Sequence, residues 1–317
     1  MIFLAPLQGY TDFIFRNVYN RHYTGIDIAV SPFISLTDGK SGISRNAKDV
    51  LPVNNHAMPV IPQLLGNKPE QFIRMAKILD DWGYEVLNWN LGCPVKNVTR
   101  KKRGSGLLPY PELVREILEK IIPNISQRLS IKLRFGLNNT DEIFSLITVL
   151  NDFPLENIII HPRIGSQMYD GEIHHDVLQK CLPLFKHEII YNGNIFTLDD
   201  FMFIKKKYPT IKKWMIGRGI LYNPLLPSII NGKQLPSKEK NNELFLSFLL
   251  DLYKEQQINK SEDRAIFTIK DLWKLFSKRF ANEKNVFDKI SHAFTMEEIT
   301  LITKEFIAED CKNSEIF

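Results

Sequence analysis

The chain has few cysteines, no long hydrophobic run and no glycine-rich dinucleotide turn, and each shortage removes a class of protein. Cys93, Cys181 and Cys311 are the only three cysteines in 317 residues, far apart and with no CxxC pair or His cluster. That argues against a disulfide framework and a zinc site, and suggests a reducing, cytoplasmic setting with no metal. No apolar run reaches 18 residues, so no membrane span is expected. The opening "MIFLAPLQGYTD" lacks the basic start of a signal peptide. A net charge of +5 says little, but its placement says more. The first 234 residues hold 28 Lys/Arg against 21 Asp/Glu, whereas residues 235–317 hold 13 against 15. The surplus includes Arg100-Lys101-Lys102-Arg103, which reads either as a solvated loop or as a polyanion contact.

Short β-rich runs recur at 2–5, 26–32, 59–65, 84–90, 129–135, 157–162, 188–193 and 213–218. Amphipathic stretches with helical spacing lie between most of them, as in 69–83, 111–122 and 197–209, the last opening on Thr197 as N-cap. Only the second connection, "DGKSGISRNAKDV", is weakly helical. Eight strands alternating with helices predict an α/β fold, a (β/α)8 TIM barrel over residues 1–234. A doubly wound sheet would carry GxGxxG after its first strand, and "APLQGYTD" does not. Residues 235–317 lack strand-like runs and read as about four helices, a small all-α bundle.

In such a barrel the functional groups gather where the strands end. Here those ends carry Ala5-Pro6-Leu7-Gln8-Gly9, Gln63, Asn90 with Cys93, Lys132 with Arg134, His161 with Arg163, Asn192-Gly193-Asn194 and Gly217-Arg218-Gly219. Buried polar groups on apolar strands cost stability unless they are paired, so this convergence points to a site. The glycines after strands seven and eight let backbone N–H groups approach an anion, and Arg218 adds a charged fork, so a phosphate is expected there. Lys132 has two functional readings: a Schiff base, or an ammonium against the N1–C2=O edge of a reduced flavin. Gln63, both donor and acceptor, suits the amide-like edge of an isoalloxazine ring. The flavin reading also gives Cys93 a task.

Those segments carry a resemblance. "APLQGYTDFIFR", "NWNLGCPVKNV…GSGLL", "IKLRFG", "HPRIGSQMYDG", "NGNI" and "MIGRGIL" resemble, in order, the motifs of the tRNA-dihydrouridine synthases, most like their shorter bacterial branch. The resemblance implies reduction of a tRNA uridine by FMN, itself reduced by NADPH. It makes Cys93 the proton donor and Asn90 a contact to both flavin and uracil. It assigns FMN contacts to Ala5, Pro6, Leu7, Gln63, Lys132, His161, Asn192, Gly193, Asn194, Gly217 and Arg218. Arg134, Arg163 and Tyr169 would lie near the tRNA, as would Lys96 in the loop after Cys93. Two departures stand out: Leu7 replaces a usual Met, and Pro162 replaces the Gly of His-Gly-Arg. The short branch favours uridine 16 over uridine 20, and a monomer is expected.

An ordinary thiol, with a pKa of about 8.5, is protonated near neutrality yet acidic enough to deliver a proton. Gly92 and Pro94 flank Cys93 as turn-forming residues. In the tail, Lys270, Lys274 and Lys278 recur every four residues, a stripe expected to dock tRNA. Ile266, Ile269, Trp273, Phe276 and Phe280 supply the opposing apolar face. The alternative is an FMN-dependent barrel oxidoreductase acting on a small molecule.

Overall fold

A computed structural model describes residues 1–36 and 45–312. Ten strand segments pair in parallel: β1 (Ile2–Leu4), β2 (Ile28–Val30), β3 (Ile34–Ser35), β4 (Val60–Ile61), β5 (Gln63–Leu65), β6 (Val86–Leu91), β7 (Arg128–Gly136), β8 (Leu155–Ile164), β9 (Ile189–Asn192) and β10 (Lys213–Ile216). β2 with β3, and β4 with β5, are the two pieces of single barrel strands, interrupted at Pro32 and Pro62, which lack an N–H to donate. Ser31 bridges the gap: its N–H donates to the Ile61 carbonyl (3.0 Å) and its hydroxyl accepts from Gln63 N–H (3.1 Å). β10 pairs with β1, Trp214 opposite Ile2, and the ring closes. The eight strands form a TIM barrel.

Alternation along the strands separates two cores. Ile2 and Leu4 of β1 belong to the outer layer beneath the helices, whereas Phe3 and Ala5 join Val30, Ile159, Ile190 and Met215 in a second apolar cluster. The outer layer is α1 (Phe13–His22), α2 (Pro69–Asp81), the short α3 (Lys96–Thr99), α4 (Pro111–Ile121), α5 (Glu142–Leu150), α6 (His175–Cys181), α7 (Leu198–Lys207), α8 (Arg218–Tyr222) and α9 (Leu226–Ile230). Thr197 caps α7 as expected. Its hydroxyl accepts from Asp200 N–H (3.0 Å), and the Asp200 carboxylate accepts from Thr197 N–H (2.9 Å), a reciprocal box worth about 1 kcal/mol. The weakly helical connection falls partly outside the described residues, and its described end, Arg45–Val50, is a 3-10 helix.

The tail forms α10 (Lys238–Asn259), α11 (Glu262–Phe276), α12 (Glu283–His292) and α13 (Met296–Lys312). Ile269, Trp273, Phe276 and Phe280 are buried and Ile266 is half-buried, so the apolar face of α11 packs inward. Trp273 Nε1 donates to the Tyr253 hydroxyl (2.7 Å), which also meets Thr303 (2.9 Å). The bundle is fastened to the barrel through α10 on α1: Phe248 sits edge-on to Phe15 and Tyr23, and Arg21 pairs with Glu255 at 2.6 Å. The bundle also reaches the segment after β1, where Lys260, at the end of α10, meets the Asp12 carboxylate (3.1 Å) and Asp271 of α11 accepts from Tyr10. No helix of the described residues is long and apolar enough to cross a membrane. The side chain of Cys311 lies outside the described residues, and Cys181 is buried in α6.

Candidate active site

A cleft open to solvent lies where the strands end. Its wall includes Ala5, Pro6 and Leu7 after β1, Asn90, Gly92, Cys93 and Pro94 at β6, Lys132 and Arg134 of β7, and His161 of β8. Tyr169, the segment 192–196 and the segment 217–219 complete it. Strand polarity brings these groups together. In "LSIKLRF", Ser130, Lys132 and Arg134 alternate with buried Leu129, Ile131 and Leu133, so all three polar side chains face the barrel interior.

Cys93 is held from both sides. The Asn90 side-chain oxygen accepts from Gly92 N–H (3.0 Å) and Cys93 N–H (2.9 Å). The Cys93 carbonyl accepts from the N–H (3.0 Å) and the hydroxyl (3.1 Å) of Ser105, and Arg134 Nε donates to the Gly92 carbonyl (3.0 Å). The thiol itself is half-exposed on the cavity wall. Burial pushes its pKa up, against a smaller opposing pull from the Val95 backbone, Arg134 and Lys132, so the sulfur holds its proton near neutrality.

The wall is cationic and contains no carboxylate among its described residues. Burial lowers the Lys132 ammonium to about 7, helped by Arg134, and brings Arg134 down to about 10. His161 is held well below its ordinary pKa by burial and then by Arg134, Lys132, Arg163 and Arg218, so its ring is neutral. Arg163 Nη1 approaches His161 Nε2 at 3.3 Å; because a guanidinium only donates, the imidazole proton sits on Nδ1. Such a cluster accommodates an anion. The segments after β9 and β10 line the same cavity. Asn194 stands in the left-handed region (φ 39°), and its side-chain oxygen is buried without a partner among the described residues. Gly217 packs so closely on Ala5 that a Cβ would stand 3.3 Å from the Ala5 methyl, and the Arg218 guanidinium lies over the Phe196 ring at 5.4 Å. Asn192 Nδ2 is anchored to the Met215 carbonyl at 2.9 Å.

Not every expected residue is on the wall. Gln63 is fully buried behind it, with one end of its amide on Asn88 and the other on Asn90, both at 2.7 Å, so it reaches the site through Asn90. Arg163 is also buried behind, its other nitrogens bonded to the Gly171 carbonyl at 2.6 and 3.2 Å. Arg134 touches Tyr169 across a 5.6 Å cation–ring contact but spends Nη1 on the Ile164 carbonyl. Lys96 is exposed at the start of α3. In the basic run, Arg103 is pinned to Asn67, and Lys102 lies 4.1 Å from the Tyr110 ring, while Arg100 and Lys101 face solvent. Lys278 falls past the end of α11, in a 3-10 turn, and pairs with Glu283 at 2.7 Å. Lys274 pairs with Asp271 at 2.5 Å, and Lys270 is half-exposed. Gln8, one of the groups expected at the strand ends, lines the cavity, and Phe33 and Phe196 line it without having been expected there; Phe196 follows the NGN segment directly and was within reach of the same argument.

Residues 3–314 match the model of the Dihydrouridine synthase (Dus) family. The chain belongs to the dihydrouridine synthase family. A relative named tRNA-dihydrouridine synthase B, from Pasteurella multocida, is 28% identical over 269 residues, covering 82% of this chain and 79% of its own. A probable tRNA-dihydrouridine synthase of Staphylococcus epidermidis is 25% identical across 99% of this chain and 95% of its own. A tRNA-dihydrouridine(16) synthase of Ralstonia nicotianae is 27% identical across 73% of each. Among solved structures, morphinone reductase matches with a TM-score of 0.51 at 12% identity, over 75% of this chain and 87% of that one, a likeness of fold. Pro162 falls where the β7–β8 register slips and beyond the last pairing with β9, so no ladder bond is asked of it. The substitution leaves His161 on the wall.

Proposed function

We propose that the protein reduces a uridine of tRNA to 5,6-dihydrouridine, using FMN as the hydride carrier and Cys93 as the acid. The observation that carries this reading is a thiol, fixed by Asn90 on the wall of a basic cavity with no carboxylate among its described residues. The residues present fit FMN. Gly193, Asn194, Gly217 and Arg218, with Asn192 behind them, would hold the phosphate, the buried Asn194 oxygen meeting a ribityl hydroxyl. Ala5, Pro6 and Leu7 would support the ring system, and Lys132, His161 and Asn90 its polar edge, with Gln63 acting through Asn90.

Reduced FMN supplies, when bound, the hydride that adds to uridine C6. The Cys93 thiol gives its proton to C5, which completes saturation of the C5=C6 bond and leaves a thiolate to be reprotonated from solvent. Burial matters here because it keeps the acid loaded at neutral pH, while Lys132 and Arg134 nearby stabilise the thiolate left behind. Neutral His161 can donate from Nδ1 without adding charge. The uridine has to leave its stack to reach the cavity. Tyr169, Arg134 and, through His161, Arg163 would border it there. NADPH returns the flavin to its reduced form.

Residues 1–234 would then be the catalytic domain and 235–317 the tRNA-recognition domain. Lys270, Lys274 and Lys278, with Lys96 and the basic run near the cavity, would meet phosphates, which position the RNA without reading bases. The absorption spectrum of the purified protein tests the cofactor. A flavin spectrum reduced by NADPH and reoxidised by tRNA supports the reading; a protein that takes up no flavin on reconstitution contradicts it.

A further inference from the structure

A chain of buried side chains crosses the barrel interior and ends on the backbone of Cys93. Asn90 Nδ2 donates to Gln63 Oε1 (2.7 Å), Gln63 Nε2 to Asn88 Oδ1 (2.7 Å), Asn88 Nδ2 to Ser130 Oγ (2.9 Å) and Ser130 Oγ to Asn157 Oδ1 (2.7 Å). Asn88, Gln63 and Ser130 are fully buried, Asn157 is 4% exposed and Asn90 8%. Strand register sets them side by side, Gln63 opposite Asn88 and Asn88 opposite Ser130.

The direction of every bond follows from one end. Gly92 and Cys93 present backbone N–H groups, which can only donate, so Asn90 must turn its oxygen toward them. Its NH2 then faces Gln63, which must answer with oxygen and turn its own NH2 to Asn88. Asn88 answers with oxygen, gives its NH2 to the Ser130 hydroxyl, and that hydroxyl spends its proton on Asn157. None of the three amides, Asn90, Gln63 and Asn88, can flip alone without setting donor against donor. An apolar layer, like the neighbouring cluster of Phe3, Val30, Ile159, Ile190 and Met215, would fill this space with no polar groups to satisfy.

We propose that Asn88 and Ser130 are positioning residues for the reaction: through Gln63 and Asn90 they lock the rotamer that aims Cys93 into the cavity. The proposal rests on Cys93 being the acid. Asn88 is not on the cavity wall and stands three hydrogen bonds from Cys93. It acts by fixing which end of the Gln63 amide faces Asn90.

The test compares Asn88→Leu with Asn88→Asp in the full-length, flavin-loaded protein. Leucine removes the acceptor that orients Gln63, whereas aspartate keeps an oxygen toward Gln63 and can accept from Ser130. In Asn88→Leu, alkylation of Cys93 by iodoacetamide, followed on its own peptide, should quicken several-fold, with its pH midpoint moved down toward that of an ordinary thiol. Single-turnover reduction of tRNA uridine should slow by roughly tenfold to hundredfold, the scale of a misplaced catalytic group, with KM for tRNA unchanged. Asn88→Asp should restore most of both. If Asn88→Leu fails to fold, Ser130→Ala breaks the chain one link lower without adding bulk, and the same readouts should shift in the same direction. Wild-type alkylation kinetics and turnover in a folded variant, with only a lower Tm, would overturn the proposal. If instead alkylation shifts while Cys93→Ala still makes dihydrouridine, the positioning stands and the acid assignment fails.

Discussion

Gly104 leaves no space beside Cys93: a Cβ on Gly104 would stand 2.6 Å from the Cys93 carbonyl oxygen and 2.9 Å from its Cβ. Gly104 also holds φ at 56°, the left-handed region that side chains disfavour. The atoms in the way are the backbone and first carbon of the proposed acid, so relief must come from moving them. Gly104→Ala should therefore lower Tm by a few degrees, the effect of roughly 1–2 kcal/mol. It should also slow dihydrouridine formation while flavin content stays at the wild-type level, as read by absorbance at unchanged protein concentration.

Lys132 links cofactor binding to pH. In the cavity without an anion its ammonium titrates at about 7, because burial and Arg134 disfavour the charge. The carbonyl edge of the flavin ring, set against Lys132, accepts from the ammonium and favours the charged form, so above pH 7 binding must take up a proton. FMN affinity should then fall as pH rises from 7 to 9, by up to about tenfold per unit while the bound lysine stays protonated. Lys132→Met should bind FMN more weakly at pH 7 and lose that slope. Flavin fluorescence quenching across the range measures both.

Arg218 lies over the Phe196 ring at 5.4 Å and lines the cavity with Asn194. Arg218→Ala removes a charge-assisted partner of the phosphate, worth about 1.5–3 kcal/mol, so Kd for FMN should rise by about tenfold to a hundredfold. The same variant should bind riboflavin, which lacks the phosphate, almost as wild type does. An equal loss for both ligands would place the phosphate elsewhere.

The lysines of the bundle make a separate prediction. Lys274 and Lys278 are exposed, though their carboxylate partners Asp271 and Glu283 are half-buried; pairs with a solvent-facing lysine contribute little, so phosphates can replace them. Substituting Lys270, Lys274 and Lys278 by Ser should weaken tRNA binding and flatten its salt dependence, by a slope of about 0.7–0.9 for each phosphate no longer neutralised. NADPH oxidation should not change. Unaltered affinity and slope would leave these lysines as solvated surface.

Much of this was legible in the order of residues. Strands of β-branched residues punctuated by turns gave the barrel, Thr197 with Asp200 gave a cap, and Asn90, Gly92, Cys93 and Pro94 marked the site because chemically distinct groups interrupt an apolar strand end. What stayed hidden depends on contacts across strands. Gln63 looked like a cofactor contact because its partner could not be seen; the register that sets it against Asn88 is a property of the closed sheet. Asn88 and Ser130 did leave a trace, since they share facing parity with Asn90 and Lys132 on their own strands. The stripe at 270, 274 and 278 assumed a helix that runs on, whereas α11 ends at Phe276 and Lys278 turns away with the chain.

The central claim is that Cys93 delivers the proton, and a single-turnover reaction of Cys93→Ala with unmodified tRNA tests it most directly. The variant should retain FMN, accept electrons from NADPH at the wild-type rate and bind tRNA, yet form dihydrouridine at least about a hundredfold more slowly, the usual contribution of a positioned acid. Equal rates of dihydrouridine formation by the variant and the wild type would contradict it.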